Sequence, residues 1–159
     1  MMQYYKSYNR VLPRLWIGNA AAAKDVDFIQ KNGITMIVNA TRDVPNVFSH
    51  VKYINLPVKD PGPGKSINNP HVYNMTKLLP YIVDNMQQEY AKGGSILVHC
   101  RAGIQRSAAI VVALWMKYWY IGGNKMTLQQ AIDVVLRVRP VAFYGGQYVN
   151  FKEDLQYIR

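Results

Sequence analysis

Nine consecutive residues carry most of the chemistry this sequence can do: His99, Cys100, Arg101, Ala102, Gly103, Ile104, Gln105, Arg106 and Ser107. A cysteine thiolate is a nucleophile, and a planar guanidinium grips two oxygens of one tetrahedral anion. Ile96, Leu97 and Val98 precede them as a short apolar run with two β-branched members, which predicts a buried strand. From Ser107 to Tyr120 the residues suit a helix. A strand, a tight turn and a helix N-terminus in that order converge backbone N–H groups, and the helix dipole adds partial positive charge. Gly103 supplies the backbone angles such a turn needs. The predicted phosphate seat is therefore the backbone of Arg101, Ala102, Gly103, Ile104 and Gln105 together with Arg106. The same dipoles stabilise a thiolate at Cys100, so nucleophile and phosphate seat share one loop and predict a phosphocysteine intermediate. A cysteine after an apolar strand is by itself only a small buried residue. It is the combination with His99, Gly103, Arg106 and Ser107 that points to catalysis.

The 159 residues suffice for one domain with a real core, and half of them are apolar. Lys and Arg number 19 against 9 Asp and Glu, a net charge of +10. The basic residues are scattered, which argues against a basic tail. The charge suits an acidic substrate and leaves nucleic acid or an anionic surface open without favouring either. Cys100 is the single cysteine, so no disulfide forms within the chain, as suits a reducing compartment. One Cys and three separated His give no metal-ligand spacing, so no metal or cofactor is expected. Met1 to Arg10 is polar and Tyr-rich, and the run Ala108 to Met116 is too short to span a bilayer. The expectation is an intracellular protein, cytoplasmic or nuclear, with no membrane insertion.

The elements that must position the loop follow from patterning. Residues 1–10 read as an arm whose Tyr4, Tyr5 and Tyr8 pack onto the domain or onto a second copy, which would make a homodimer. Leu15 to Gly18 reads as a strand, Ala20 to Asn32 as a helix with Val26, Phe28 and Ile29 inward, and Ile34 to Asn39 as a second strand. Alternation of strand and helix predicts an α/β domain. Arg42 and Asp43 follow the second strand, where a surface ion pair is favoured over substrate contact. Tyr53 to Val58 reads as a third strand, followed by a Gly/Pro-rich loop that holds Asp60. Pro70 to Tyr90 has one apolar helical face, with Pro80 near the true start. Thr127 and Gln130 stand in capping-box positions. Arg137 and Arg139 end that helix, where cations favour its C-terminus; this reading is preferred to a second phosphate-binding role. Gly145 to Ile158 reads as a last helix with Tyr148, Phe151, Leu155 and Ile158 inward.

The stretch from His99 to Ser107 matches in full the signature His-Cys-x-x-Gly-x-x-Arg-Ser/Thr, and so resembles the dual-specificity phosphatases of the cysteine-dependent protein tyrosine phosphatase superfamily. Leu15 to Gly18, Gly33-Ile34, Ile37 to Thr41 and Tyr53 to Asp60 resemble the same family, as do the two C-terminal helices. The resemblance covers about residues 11–158. It implies a protein tyrosine phosphatase-like fold, a central mostly parallel sheet flanked by helices, with residues 11–159 as the catalytic domain. It also implies hydrolysis of phosphotyrosine and phosphoserine or phosphothreonine in protein substrates. By the same resemblance Cys100 is the nucleophile, and Arg106 holds the transferring group. Asp60 protonates the leaving oxygen and later activates water. Ser107 donates to the sulfur, and His99 orients the loop without acting as a base.

One departure stands out. Asp60 lies 40 residues before Cys100, farther than is usual in the family. The surplus falls in Pro61 to Asn69, a longer loop that closes over substrate or holds Asp60 differently; His71 is the fallback acid. Two alternatives stay open: an RNA 5′-phosphatase of the same superfamily, and a phosphate-binding pseudophosphatase or scaffold, against which stand Cys100, Arg106 and Asp60 together. The wording from Gly103 to Ala109 also resembles versions in large DNA viruses.

Overall fold

A computed structural model describes residues 5–60, 62 and 75–158. Its sheet has five strands in the order β1-β2-β5-β3-β4: β1 Tyr8–Leu12, β2 Leu15–Gly18, β3 Met36–Asn39, β4 Lys52–Asn55 and β5 Ile96–His99. Strands β2, β5, β3 and β4 run parallel, and β1 pairs antiparallel with β2 at the edge. Every residue of β3 and of β5 is buried, because a parallel sheet is covered on both faces. Successive side chains then serve different layers. Ile37 and Leu97 join Phe28, Ile29, Ile34 and Val51 on the face covered by α1 (Val26–Lys31). Met36, Val38, Ile96 and Val98 join the larger core on the other face. That core is built with α2 (Met75–Ala91), α3 (Arg106–Tyr118), α4 (Leu128–Val138) and α5 (Lys152–Gln156). Helix α3 is its centre, with Ser107 to Trp115 all buried.

Register places the functional loop. Gly18 and Asn39 both align with His99, so three parallel strands end at one level. Ligand sites of open α/β sheets form beyond that edge.

The sheet begins at Tyr8, not after an arm ending at residue 10: Tyr8, Asn9 and Arg10 pair with Gly18, Ile17 and Trp16. The Tyr8 ring stacks on Phe28 at 4.0 Å, and Tyr5 lies with its ring 5.5 Å from the Arg139 guanidinium, so both tyrosines pack on the domain itself. The predicted helix 20–32 is interrupted at Asp25, whose side chain accepts from Phe28 N at 3.0 Å and so starts α1 afresh. Val26 is thereby turned to solvent. The strand predicted over 53–58 ends at Asn55. Pro80 is carried inside α2 and does not begin it; Met75 and Leu79 are buried, and their packing holds the turn before the proline in helix. The last helix is reduced to α5, because Gly145 and Gly146 adopt φ of 74° and 90° and turn the chain before it. Phe151, Leu155 and Ile158 still point inward, whereas Tyr148 is exposed. A hairpin, β6 Tyr120–Ile121 with β7 Asn124–Lys125, follows α3. Among the described residues no helix is long and apolar enough to cross a membrane. His71 and most of the 61–69 loop lie outside the described residues.

The capping box of α4 is formed in both directions: Gln130 N donates to Thr127 Oγ1 at 3.2 Å and Thr127 N to Gln130 Oε1 at 2.9 Å. Replacing Thr127 by alanine is expected to cost about 1 kcal/mol of stability in urea denaturation and to leave the affinity for inorganic phosphate unchanged.

Candidate active site

The loop between β5 and α3 is fixed from outside. Each of its carbonyls from Cys100 to Ile104 meets a donor. His99 Nδ1 reaches Cys100 O at 3.3 Å, and Ala20 N donates to Arg101 O at 3.0 Å. Arg139 donates through Nη2 to Ala102 O at 3.2 Å and through Nε to Gly103 O at 2.7 Å, and Phe143 N donates to Ile104 O at 2.8 Å. In a planar trans peptide the N–H points opposite to the C=O, and no described peptide is cis. Drawing five carbonyls outward therefore turns the N–H groups of Arg101 to Gln105 inward. One of them is observed there: Gly103 N donates to Cys100 Sγ at 3.2 Å.

Gly103 is required twice over. Its φ is 70°, in the left-handed region, and a Cβ would lie 2.6 Å from Arg139 Nη2 and 2.8 Å from Gly18 O. The next residues extend the cradle. Gln105 precedes α3 but makes no side-chain cap, so the first-turn N–H groups of α3 stay available to an anion. Cys100 is buried, with its sulfur 3.2 Å from Ser107 Oγ. When the sulfur is a thiolate, that hydroxyl is the donor. Arg106 donates through Nη1 to Val58 O at 3.0 Å, while its buried Nε has no partner among the described residues. One edge of the guanidinium is thus held and another is left for an oxyanion.

Asp60 stands at the end of the segment that Arg106 anchors. Its Oδ1 accepts from Gly62 N at 3.0 Å and from Asn150 Nδ2 at 3.0 Å. Of the two residues read as a surface ion pair, Arg42 has no ion pair among the described residues, while Asp43 pairs with Arg101 at 2.5 Å. The Arg101 side chain holds its carboxyl below the ordinary range. Both groups are exposed, so the pair adds little stability.

Three contributions were missed. Arg139 does not serve its own helix end, as the sequence suggested. It is fully buried and also donates to Lys6 O at 3.0 Å and Asn9 Oδ1 at 2.7 Å. Its described hydrogen-bond partners are all neutral, so a positive charge stands behind the cradle with no carboxylate on it; burial pushes its pKa down. Phe143 and Tyr144 adopt φ of 53° and 51°, which costs bulky residues about 1–3 kcal/mol each. Full burial of the Phe143 ring and its bond to Ile104 O hold that turn. Asn150 is the third. Only Gly145-Gly146 hinted at a tight turn in this region.

His99 is buried beneath the loop, and its pKa is lowered to about 4, first by desolvation and further by the Arg106 charge. It is neutral at physiological pH. Because a carbonyl can only accept, Nδ1 carries the hydrogen that faces Cys100 O. A neutral ring so placed can hold the loop through that contact. Protonation favours the unfolded chain: between pH 6.5 and about 4 the unfolded histidine takes up a proton and the folded one does not. Stability from this group is full above pH 6.5, is lost as pH falls toward 4, and amounts to roughly 3 kcal/mol. Chemical denaturation across this window should show a shallower pH dependence for His99→Asn than for the wild type. Equal slopes would contradict the assignment.

Known proteins share this arrangement. The family model "Dual specificity phosphatase, catalytic domain" matches residues 15–155. Human dual specificity protein phosphatase 1 is 29% identical over 150 residues, covering 91% of this chain and 37% of the relative. The chain thus spans a little over a third of the length of the curated relatives it matches. Among solved structures, a candidate dual specificity phosphatase of the mouse, complexed with zinc tungstate, is 30% identical with a TM-score of 0.77, covering 99% of this chain and 90% of the other. Human DUSP28 is 28% identical with a TM-score of 0.78, covering 99% and 97%. These likenesses run across the sheet, the cradle and the C-terminal helices alike, and the chain belongs to the dual specificity phosphatase family.

Proposed function

We propose that this chain is a protein phosphatase that removes phosphate from phosphotyrosine and from phosphoserine or phosphothreonine through a phosphocysteine intermediate. The observation that carries it is the position of the Cys100 sulfur. It lies buried at the floor of a loop whose amides turn inward, 3.2 Å from both Gly103 N and Ser107 Oγ. The unpartnered Nε of Arg106 is the further donor.

This arrangement supports a two-step reaction. A phosphate monoester enters with its three non-bridging oxygens on the loop amides, the first turn of α3 and Arg106. Their donors are already oriented, so charge in the transition state is stabilised with little rearrangement. The Cys100 thiolate forms a bond to phosphorus, the P–O ester bond breaks, and its electron pair leaves on the ester oxygen. Asp60 gives that oxygen a proton. Water then attacks phosphorus and loses a proton to Asp60, and the S–P bond breaks to return the thiolate. Ser107 donates to the sulfur as it leaves. His99, neutral, stays outside the proton transfers. Tungstate, a tetrahedral oxyanion like phosphate, accompanies the similar mouse structure, which supports an oxyanion reading. The choice of phosphoprotein substrates rests on the dual specificity phosphatases that the chain resembles.

The test is phosphate release from matched phosphotyrosine and phosphothreonine peptides. Both should be hydrolysed. Cys100→Ser should abolish turnover and keep phosphate binding, and Asp60→Asn should slow turnover by about 10²-fold or more. Full activity of the serine protein would sink the mechanism, and hydrolysis of one peptide alone would remove the dual specificity.

A further inference from the structure

Asn150 and Gln105 form a relay that ends on Asp60. The Asn150 amide nitrogen donates to Asp60 Oδ1 at 3.0 Å and to Gly62 O at 2.7 Å. Both partners are pure acceptors, so the orientation of the amide is forced. The backbone of the same residue is held from the phosphate loop: Asn150 N donates to Gln105 Oε1 at 3.1 Å, and Gln105 Nε2 donates to Tyr148 O at 2.5 Å. Here too a donor-only and an acceptor-only partner fix the amide. Gln105 is buried and does not cap its own helix. Its side chain is spent on seating residues 148–150.

Oδ1 of Asp60 already accepts two N–H groups, from Gly62 and Asn150. An oxygen so occupied is a poor place for a proton. The acid's proton is therefore directed to the other oxygen, Oδ2. The segment that carries Asp60 is then fastened to the cradle by two struts, Arg106 on Val58 O at its root and the Gln105–Asn150 relay at its tip.

We propose that Asn150 is the positioning residue of the general acid, fixing Asp60 by Oδ1 so that Oδ2 delivers the proton, and that Gln105 keeps this brace in register with the bound phosphate. The inference rests on Asp60 being the acid that protonates the leaving oxygen. Asn150 touches neither phosphorus nor the leaving group in this scheme, and its loss should leave phosphate binding intact.

A leaving-group series separates this role from a structural one. An aryl phosphate with a strongly acidic fluorinated phenol needs no proton donor, whereas phenyl phosphate does. For Asn150→Ala, kcat on phenyl phosphate should fall about tenfold or more, a fraction of what full loss of a general acid costs. On the fluorinated substrate it should fall less than about twofold, with inhibition by inorganic phosphate unchanged. Asn150→Ser, which keeps a small polar side chain, serves the same reading where the alanine protein does not fold. Asp60→Asn is measured alongside. If Asp60→Asn is steeply leaving-group dependent and the Asn150 variants are not, the relay is wrong and the acid assignment stands. If neither depends on the leaving group, the acid assignment fails and takes the relay with it. A uniform loss across the series, or weaker phosphate inhibition, makes Asn150 a support of the cradle alone and overturns the proposal.

Discussion

Five backbone carbonyls turned away from one point create this site. A peptide cannot present its C=O and its N–H to the same side, so a loop that is to surround an anion with N–H groups must find donors for its carbonyls elsewhere. Here they come from four separate places: the His99 ring, the amide of Ala20, the buried Arg139 and the strained Phe143. A buried carbonyl left without a partner costs roughly 1–3 kcal/mol, so each of these donors holds the loop in the conformation that binds. The demand reaches far into the fold. Ala20 follows β2, Arg139 ends α4, and Phe143 tolerates an unfavourable backbone angle to make its bond.

The electrostatics divide in the same way between floor and rim. Behind the loop, Arg139 is buried among neutral partners and holds a charge that solvent does not screen. At the rim, Arg101 is exposed and already paired with Asp43. The first contributes to the field at the Cys100 sulfur; the second is close to neutral in net effect. Desolvation keeps the nearest histidine uncharged, so it orients the loop without competing for a proton. The reacting groups are consequently few. In the proposed reaction they are Cys100, Arg106, Asp60 and Ser107, and the rest of the site holds them in place.

How far the sequence revealed this depended on how local each interaction is. Cys100, Gly103, Arg106 and Ser107 act within one turn, and their spacing was sufficient to place them. The inner strands were readable because β3 and β5 are apolar on both faces. Arg139 was not, since a basic residue at the end of an amphipathic helix looks the same whether it is solvated or is folded against a loop 36 residues away. Asn150 and Phe143 likewise gain their meaning only when the chain after α4 returns to the cradle. Element ends failed for a different reason. Apolar spacing continues across Asp25 and extends the last helix back to Gly145, but side-chain capping interrupts the first helix and left-handed backbone at Gly145-Gly146 keeps the second from starting there.

The most direct test of the cradle is backbone amide chemical shift in a Cys100→Ser protein titrated with orthophosphate or tungstate. The amide protons of residues 101–106 should move downfield together and saturate with a single affinity, because all of them meet the same oxyanion. Saturable binding that leaves those amides unmoved, or that shifts a different surface, would contradict the account.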